Sequence, residues 1–241
     1  MPKSAGQPSA KQRFISIIEQ QILSGELKVD QKLPPERELA ELTGISRVTV
    51  HAGLVELATK GVLRIMPRQG TYVNDFKKEG TLELYSALLQ HTGEMDGDIF
   101  RSLIAFREIV ETAAASKAAA NHTQVQIARL RDLLKQERAA DSTAEAAQLD
   151  FQLHLEVTRA SGNIILPMTL RSIEAMYMSL VGKFYEAIAD RSFVYAFHES
   201  LIDAVESGDA QAAGAVMKAM LDHGREVLES RSAEIRSNPS L

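Results

Sequence analysis

The chain has 241 residues, with 27 Lys and Arg against 32 Asp and Glu, a formal net charge of -5 and no cysteine. That length is long for one domain and ample for two. The acidic balance argues against a general polyanion binder, the lack of cysteine excludes disulfides and thiolate metal sites, and no run of about 18 apolar residues exists to cross a bilayer.

The charge is uneven along the chain. Residues 1–75 hold ten Lys and Arg and eight Asp and Glu; the remainder holds seventeen and twenty-four. A mildly basic N-terminal part on an acidic body suits a small module that reads DNA. The opening MPKSAGQPSA is polar and lacks an apolar signal core, so residues 1–10 are expected as a flexible arm of a cytoplasmic protein. From about Gln12 to Ser24 a helix is predicted, because Phe14, Ile15, Ile18 and Ile22 share a stripe at helical spacing and Gly25 ends it. Pro34 and Pro35 mark the start of a second helix, Glu36 to Leu42. After the break Thr43-Gly44-Ile45, Ser46 is a natural N-cap for a third helix, Arg47 to Thr59. Val62–Met66 and Thr71–Val73 are β-prone and flank the turn Pro67-Arg68-Gln69-Gly70. Helix, helix, turn, helix and hairpin make a winged helix-turn-helix over residues 11–74.

Residues 75–80 are polar and read as a linker. Residues 81–231 are helical almost throughout, with helices expected at 81–92, 98–121, 124–140, 143–161, 164–189, 191–207 and 209–231. Asn163 and Asp209 are natural caps, and 232–241 reads as a flexible tail. No strand candidate follows the hairpin, so the second domain is expected to be an all-α antiparallel bundle and the protein mainly α.

A recognition helix enters the major groove by its N-terminal end, where exposed polar side chains meet the bases. Ser46, Arg47, Thr49 and His51 stand there. Arg47 can donate twice to a guanine edge. Arg37 is placed to grip phosphate, and Arg68, Gln69 and Gly70 form the wing tip. The string KLPPERELAELTGISRVTVHAGLVELATKGVLRIMPRQGTYV resembles the DNA-binding domain of GntR-family regulators, through Leu33-Pro34, Glu36-Arg37-Glu38-Leu39-Ala40, Ser46-Arg47, Val50, Leu54, Gly61 and Gly70-Thr71-Tyr72-Val73. It departs from that pattern at His51, where the family usually has Arg, at Ala52-Gly53, where Glu-Ala is usual, and at Asp30, where Gly is common. Gly53 inside a helix points to a packing need.

Asp150 and His154 project from one helix face at i,i+4 spacing, with His198 and His223 on two further helices. From spacing alone this set is either an ordinary surface pair with unrelated histidines or a metal site. One carboxylate and neutral imidazoles suit zinc, nickel, cobalt or iron, with coordination positions left open. Residues 81–231 resemble the FCD ligand-binding domain of the FadR branch: Phe106-Arg107 with Glu111, Asp150 with His154 and Ala160-Ser161-Gly162-Asn163, His198 with Leu201-Ile202, Gly208-Asp209, and Met220 with His223. Leu153 stands where Phe is common. The resemblance implies a divalent metal, zinc first, on Asp150, His154, His198 and His223, and it turns Arg107 toward an effector pocket. On the residues alone, Arg107 is equally suited to an internal pair with Glu111 or Glu108. A metal ion beside Arg107 favours a small carboxylate effector.

The expected function is a ligand-responsive regulator acting as a homodimer on a palindromic double-stranded operator. Two other readings stay open: a metal-dependent enzyme, which lacks a His-Glu-x-x-His or Gly-x-Ser-x-Gly motif and an evident general base, and a regulator whose metal is purely structural.

Overall fold

A computed structural model describes residues 8–82 and 97–237. The chain divides into two compact units, Met1–Gly93 and Glu94–Leu241. The expected helix at 81–92 lies almost wholly outside the described residues.

In the first unit, α1 (Ala10–Leu23), α2 (Glu36–Thr43) and α3 (Arg47–Thr59) precede the strands β1 (Leu63–Met66) and β2 (Gly70–Val73). Ser9 begins α1 two residues before the expected start, through a capping box with Gln12. Gly44 closes α2 at φ 68, a left-handed cap that glycine adopts without strain. Strands β1 and β2 pair antiparallel, with Leu63 opposite Val73 and Met66 opposite Gly70. Phe14, Ile18, Leu39, Val50, Leu54, Leu57, Leu63 and Val73 form one core under the three helices and the hairpin.

Gly53 sits where α1 and α3 meet. A Cβ there would fall 2.5 Å from Phe14 Cδ1, and the Phe14 ring is fully buried. Alanine would regain helix propensity but overpack this crossing, so Gly53→Ala is expected to destabilise the unit by about 1–2 kcal/mol. Urea unfolding measures the change. Asp30, standing where relatives of this pattern carry glycine, has φ 65, and its carboxylate accepts from Arg64 on β1. Aspartate is among the few side chains that tolerate this region.

The stretch expected as a linker contains a helical turn, α4 (Phe76–Glu79). Lys78 N and Glu79 N both donate to Asp75 O, and Thr81 N donates back to Lys60 O. The turn therefore folds against the end of α3. Gly61, at φ 77, makes room for it, since a Cβ there would lie 2.0 Å from Glu79 O.

The second unit is all-helical among its described residues: α5 (Gly97–Asn121), α6 (Gln124–Arg138), α7 (Thr143–Ala160), α8 (Ile165–Ser172), α9 (Glu174–Ala187), α10 (Ser192–Glu206) and α11 (Ala210–Ser237). Its core is Leu130, Leu134, Leu153, Val157, Leu201, Val205 and Met217 with the alanines of α5. Those alanines allow close packing, and Gly214 of α11 sits so near Ser116 that a Cβ would fall 2.4 Å from its Oγ.

Two expectations need correction. The single helix at 164–189 is two helices broken at Ile173, which has φ -105 and ψ 12. Thr169 and Ser172 turn their hydroxyls back onto Ile165 O and Thr169 O, the kind of local bond that bends a helix. The tail at 232–241 is helical through Ser237, since no glycine or proline interrupts the chain before Pro239. Asp209 caps α11, its Oδ1 accepting from Ala212 N at 2.9 Å, whereas Asn163 stands one residue before the α8 N-cap, Ile164, and its Oδ1 accepts from Ile165 N in a local turn at 2.9 Å.

Candidate functional site

In the first unit, Ser46 Oγ caps α3 by accepting from Thr49 N at 3.3 Å and lies 2.8 Å from Thr49 Oγ1. The α3 N-terminus is thereby fixed with its side chains outward. Arg47 and His51 have side chains 72% and 61% exposed, and both lean on Glu36 at the start of α2. Glu36 Oε1 is 2.7 Å from His51 Nδ1, and Glu36 Oε2 is 3.5 Å from Arg47 Nε. The His51 hydrogen bond outweighs the upward push of burial and, with the His51 charge and smaller contributions from Arg47, holds the Glu36 carboxyl below its ordinary value. Arg37 is exposed, with its Nε 3.8 Å from Glu41 Oε1.

At the wing tip, Arg68 adopts φ 62, a region sparsely used by long side chains. Gln69 N closes the turn onto Met66 O, and Gly70, at φ 118, leaves room for Lys32, whose Cε would be 2.8 Å from a Cβ. One residue was missed from sequence: Val48, between Arg47 and Thr49, is 82% exposed. An apolar β-branched side chain beside an N-cap was the available signal, and such a group suits a thymine methyl.

In the second unit, Asp150, His154 and His198 are all buried and bring their ligand atoms within 4.8 Å of one another. His154 Nε2 lies 4.0 Å from Asp150 Oδ1, and His198 Nε2 lies 3.8 Å from Asp150 Oδ2. A tetrahedral ion with bonds near 2.1 Å holds its ligand atoms about 3.4 Å apart, so a small contraction would seat one. His223 does not join this group; it is half-buried, with its ring 4.7 Å from that of Phe193. It does line the same cavity as Arg107, Asp150 and His154, a space of about 50 Å3. His122, just past the end of α5, is half-buried, with its Nδ1 3.1 Å from Ala118 O.

Each imidazole of the cluster is oriented by a buried carboxylate. His154 Nδ1 pairs with Glu111 Oε2, and His198 Nδ1 pairs with Glu137 Oε2 at 2.8 Å. This turns each Nε2 toward Asp150, and His198 Nε2 is left buried with no hydrogen-bond partner. Tyrosines hold the aspartate: Tyr177 donates to Asp150 Oδ1 at 2.8 Å, while Tyr185 donates to Glu137 Oε1 at 2.6 Å and lies 3.3 Å from Asp150 Oδ2. Arg107 Nε donates to Glu111 Oε1 at 2.6 Å, and its Nη2 donates to Tyr177 at 2.9 Å. The internal pair with Glu111 is thus formed, and Arg107 faces the cavity as well.

The electrostatics suit a cation. Asp150, Glu111 and Glu137 are three buried carboxylates against the one guanidinium of Arg107. With neutral imidazoles this leaves two negative charges in excess, which a divalent ion would offset. Burial pushes Glu111 up, but Arg107 and His154 bring it down to about 2. Burial likewise pushes His198 down, yet Glu137 and Asp150 outweigh it and hold the imidazole above its ordinary value. A buried donor atom without a partner, oriented imidazoles and this charge excess all fit a metal such as zinc.

Sequence reasoning named Glu111 only as a partner for Arg107 and missed Glu137, Tyr177 and Tyr185. Glu137 continues the buried stripe Ile127, Leu130, Leu134 of α6, as Arg107 and Glu111 do on α5. A charged residue at a core position of an amphipathic helix was the readable sign.

Comparison with known proteins places both units. Residues 11–73 match the family model of bacterial regulatory proteins of the gntR family, and residues 102–223 match the FCD domain. The chain is 27% identical over 213 residues to the HTH-type transcriptional regulator LutR of Bacillus subtilis, covering 86% of this chain and 95% of that protein. It is 33% identical over 154 residues to the fatty acid metabolism regulator protein of Pectobacterium carotovorum, covering 64% of this chain and 62% of that one. Among solved structures, the Lar protein of Listeria monocytogenes aligns with a TM-score of 0.64 at 15% identity, over 93% of this chain and 99% of that one. McbR/YncC of E. coli aligns with a TM-score of 0.53 at 19% identity, over 94% and 100% of the two chains. These two likenesses concern the fold.

Proposed function

Since the chain belongs to the gntR family of bacterial regulatory proteins and carries an FCD domain, it is a transcriptional regulator, not an enzyme, and we propose that its helical unit senses a small organic acid through a divalent metal. The observation that carries this reading is the buried convergence of Asp150, His154 and His198, with His198 Nε2 lacking a partner. These three side chains would hold the ion, zinc in the first instance. His223, across the same cavity, would complete the set when its ring leaves Phe193. When bound, the ion supplies a Lewis-acidic positive centre for an anionic ligand. Glu111 and Glu137 hold the imidazoles in the metal-binding tautomer, and Arg107 adds positive charge at the cavity wall.

The winged helix would read DNA through Arg47, Thr49 and His51, placed by the Ser46 cap. Arg37 would contact phosphate, and the wing tip Arg68-Gln69-Gly70 would approach the backbone or minor groove. One small head offers limited contact, so two copies in a homodimer would grip a palindromic operator in the cytoplasm. Among the described residues no helix is long and apolar enough to cross a membrane. An acid bound in the helical unit would bias the two heads toward one spacing, and by linkage the operator would alter acid affinity by the same factor.

Metal analysis of protein purified without chelators tests the reading. The expected result is about one ion per chain, lost in Asp150→Ala. A wild-type chain that takes up no ion even after reloading would remove the metal from the account and leave the DNA-binding reading in place.

A further inference from the structure

Positive charge on the first unit is unevenly committed. Lys11 pairs with Glu56, Arg47 with Glu36, Arg64 with Asp30 and Lys78 with Asp75. Among the described residues, two cations beside the hairpin turn, Lys32 and Arg68, have no carboxylate partner. Arg68 lies in the turn itself. Lys32 precedes α2 and is far from the turn in sequence.

The fold carries Lys32 to that turn. Asp30 to Leu33 run beside β2: Asp30 N donates to Val73 O at 3.0 Å, Val73 N to Gln31 O at 2.9 Å and Leu33 N to Thr71 O at 2.9 Å, while Lys32 and Tyr72 form an antiparallel bridge. The Lys32 backbone is therefore held in register with the wing. Its side chain crosses Gly70, where a Cβ would lie 2.8 Å from Lys32 Cε and 3.6 Å from Nζ. The ammonium is 5.9 Å from the centre of the Tyr72 ring, within reach of the attraction between a cation and an aromatic face. Arg64 stands 5.6 Å from the same ring centre, but its charge is offset by Asp30. Lys32 is exposed and its charge is not offset.

Seating an exposed lysine in this way costs rotamer freedom, and a cation on an exposed ring returns little. The acid two residues away, Asp30, is already taken by Arg64. What remains is a preorganised cation at the edge of a hairpin tip, for which a phosphate backbone supplies the missing counter-charge.

We propose that Lys32 is a DNA-binding residue of the wing, its ammonium contacting a backbone phosphate beside the place where Arg68-Gln69-Gly70 approaches the duplex. Gly70 then has a second role, since a side chain there would push Lys32 off its seat. The contact carries no base information, because a lysine ammonium acts on phosphate as a point charge. This inference rests on the DNA-reading winged helix proposed above and adds a contact from a segment outside its helices and hairpin.

Fluorescence anisotropy of the full chain on a selected operator and on scrambled duplex, over a range of salt concentrations, tests it. Lys32→Gln should lower the slope of log affinity against log salt by about 0.9 for each protomer engaged, a loss of about fivefold at about 0.15 M salt. The loss should be equal on the two duplexes, Lys32→Arg should keep the wild-type slope, and the urea midpoint of Lys32→Gln should match that of the wild-type chain. An unchanged salt slope in Lys32→Gln, or a loss confined to the operator, would overturn the proposal. Weaker binding at the wild-type slope with a lowered urea midpoint would mean that Lys32 only braces the hairpin, and would overturn it too. Absence of salt-dependent binding by the wild-type chain to any duplex would instead overturn the DNA-binding reading on which the proposal stands.

Discussion

Arg47→Ala lowers operator affinity by about 1–3 kcal/mol for each protomer engaged, the range for losing one bidentate guanine contact. Three features argue for an effect of this size at Arg47. It stands in the first turn of α3, immediately after the Ser46 cap. Its side chain is 72% exposed, so the fold does not depend on it. Its ion pair is the long approach of Nε to Glu36, which does not engage either Nη group. Truncation has a second effect, because Glu36 loses a cationic neighbour and keeps only His51 beside its carboxylate at the proposed DNA face. The loss should fall on sequence selectivity as well as affinity. A uniform weakening across sequences, with a salt slope smaller by about one, would mean that Arg47 grips phosphate instead. Fluorescence anisotropy on a selected operator and on scrambled duplex separates the two outcomes, and metal content should not change.

The other large effect lies in the helical unit. Glu137→Ala leaves His198 Nδ1 and the Tyr185 hydroxyl facing a cavity where a fully buried carboxylate had paired with both. Removing one member of a buried ionic pair costs about 3–5 kcal/mol, and loss of a carboxylate that orients a ligating histidine lowers metal affinity about 10–100-fold. Glu137→Gln separates the two consequences. The amide oxygen still accepts from Nδ1, so most of the stability should return, while the lost charge keeps metal affinity low. Equal metal affinity in the Glu137→Gln variant and the wild-type protein would show that the carboxylate is only packing material. The pH dependence of the metal-free protein has a definite sign. His198 is held above its ordinary value, so the stabilisation from its pair with Glu137 is complete below the unfolded value of about 6.5 and fades as pH rises through the higher folded value. Metal affinity runs the other way and grows with pH, because the ion needs the neutral ring.

The winged head was readable because its signals are local. Ser46, Gly44 and the Pro67–Gly70 turn each act within a few residues, and the two strands pair within the hairpin that turn closes. Asp150 and His154 were legible for the same reason, being four apart on one helix. The carboxylates behind them come from other helices, and only the packed bundle brings Glu137 of α6 and Tyr185 of α9 to the same aspartate. His198 could be paired with them only through the family resemblance, since spacing alone left the surface alternative open. The break at Ile173 escaped because it uses serine and threonine back-bonding, with no glycine or proline to announce it. Gly53 shows the reverse: an apparent cost in helix propensity is the clearance that Phe14 requires.

The most direct test of metal-dependent acid sensing is operator affinity of the zinc-loaded protein, measured by anisotropy with and without saturating acetate, the simplest carboxylate probe, beside the Asp150→Ala/His198→Ala variant. The account predicts that acetate shifts wild-type affinity by about 5–150-fold, a coupling of about 1–3 kcal/mol, and leaves the variant's unchanged. An equal shift in the variant would contradict it, because the acid would then act without the metal.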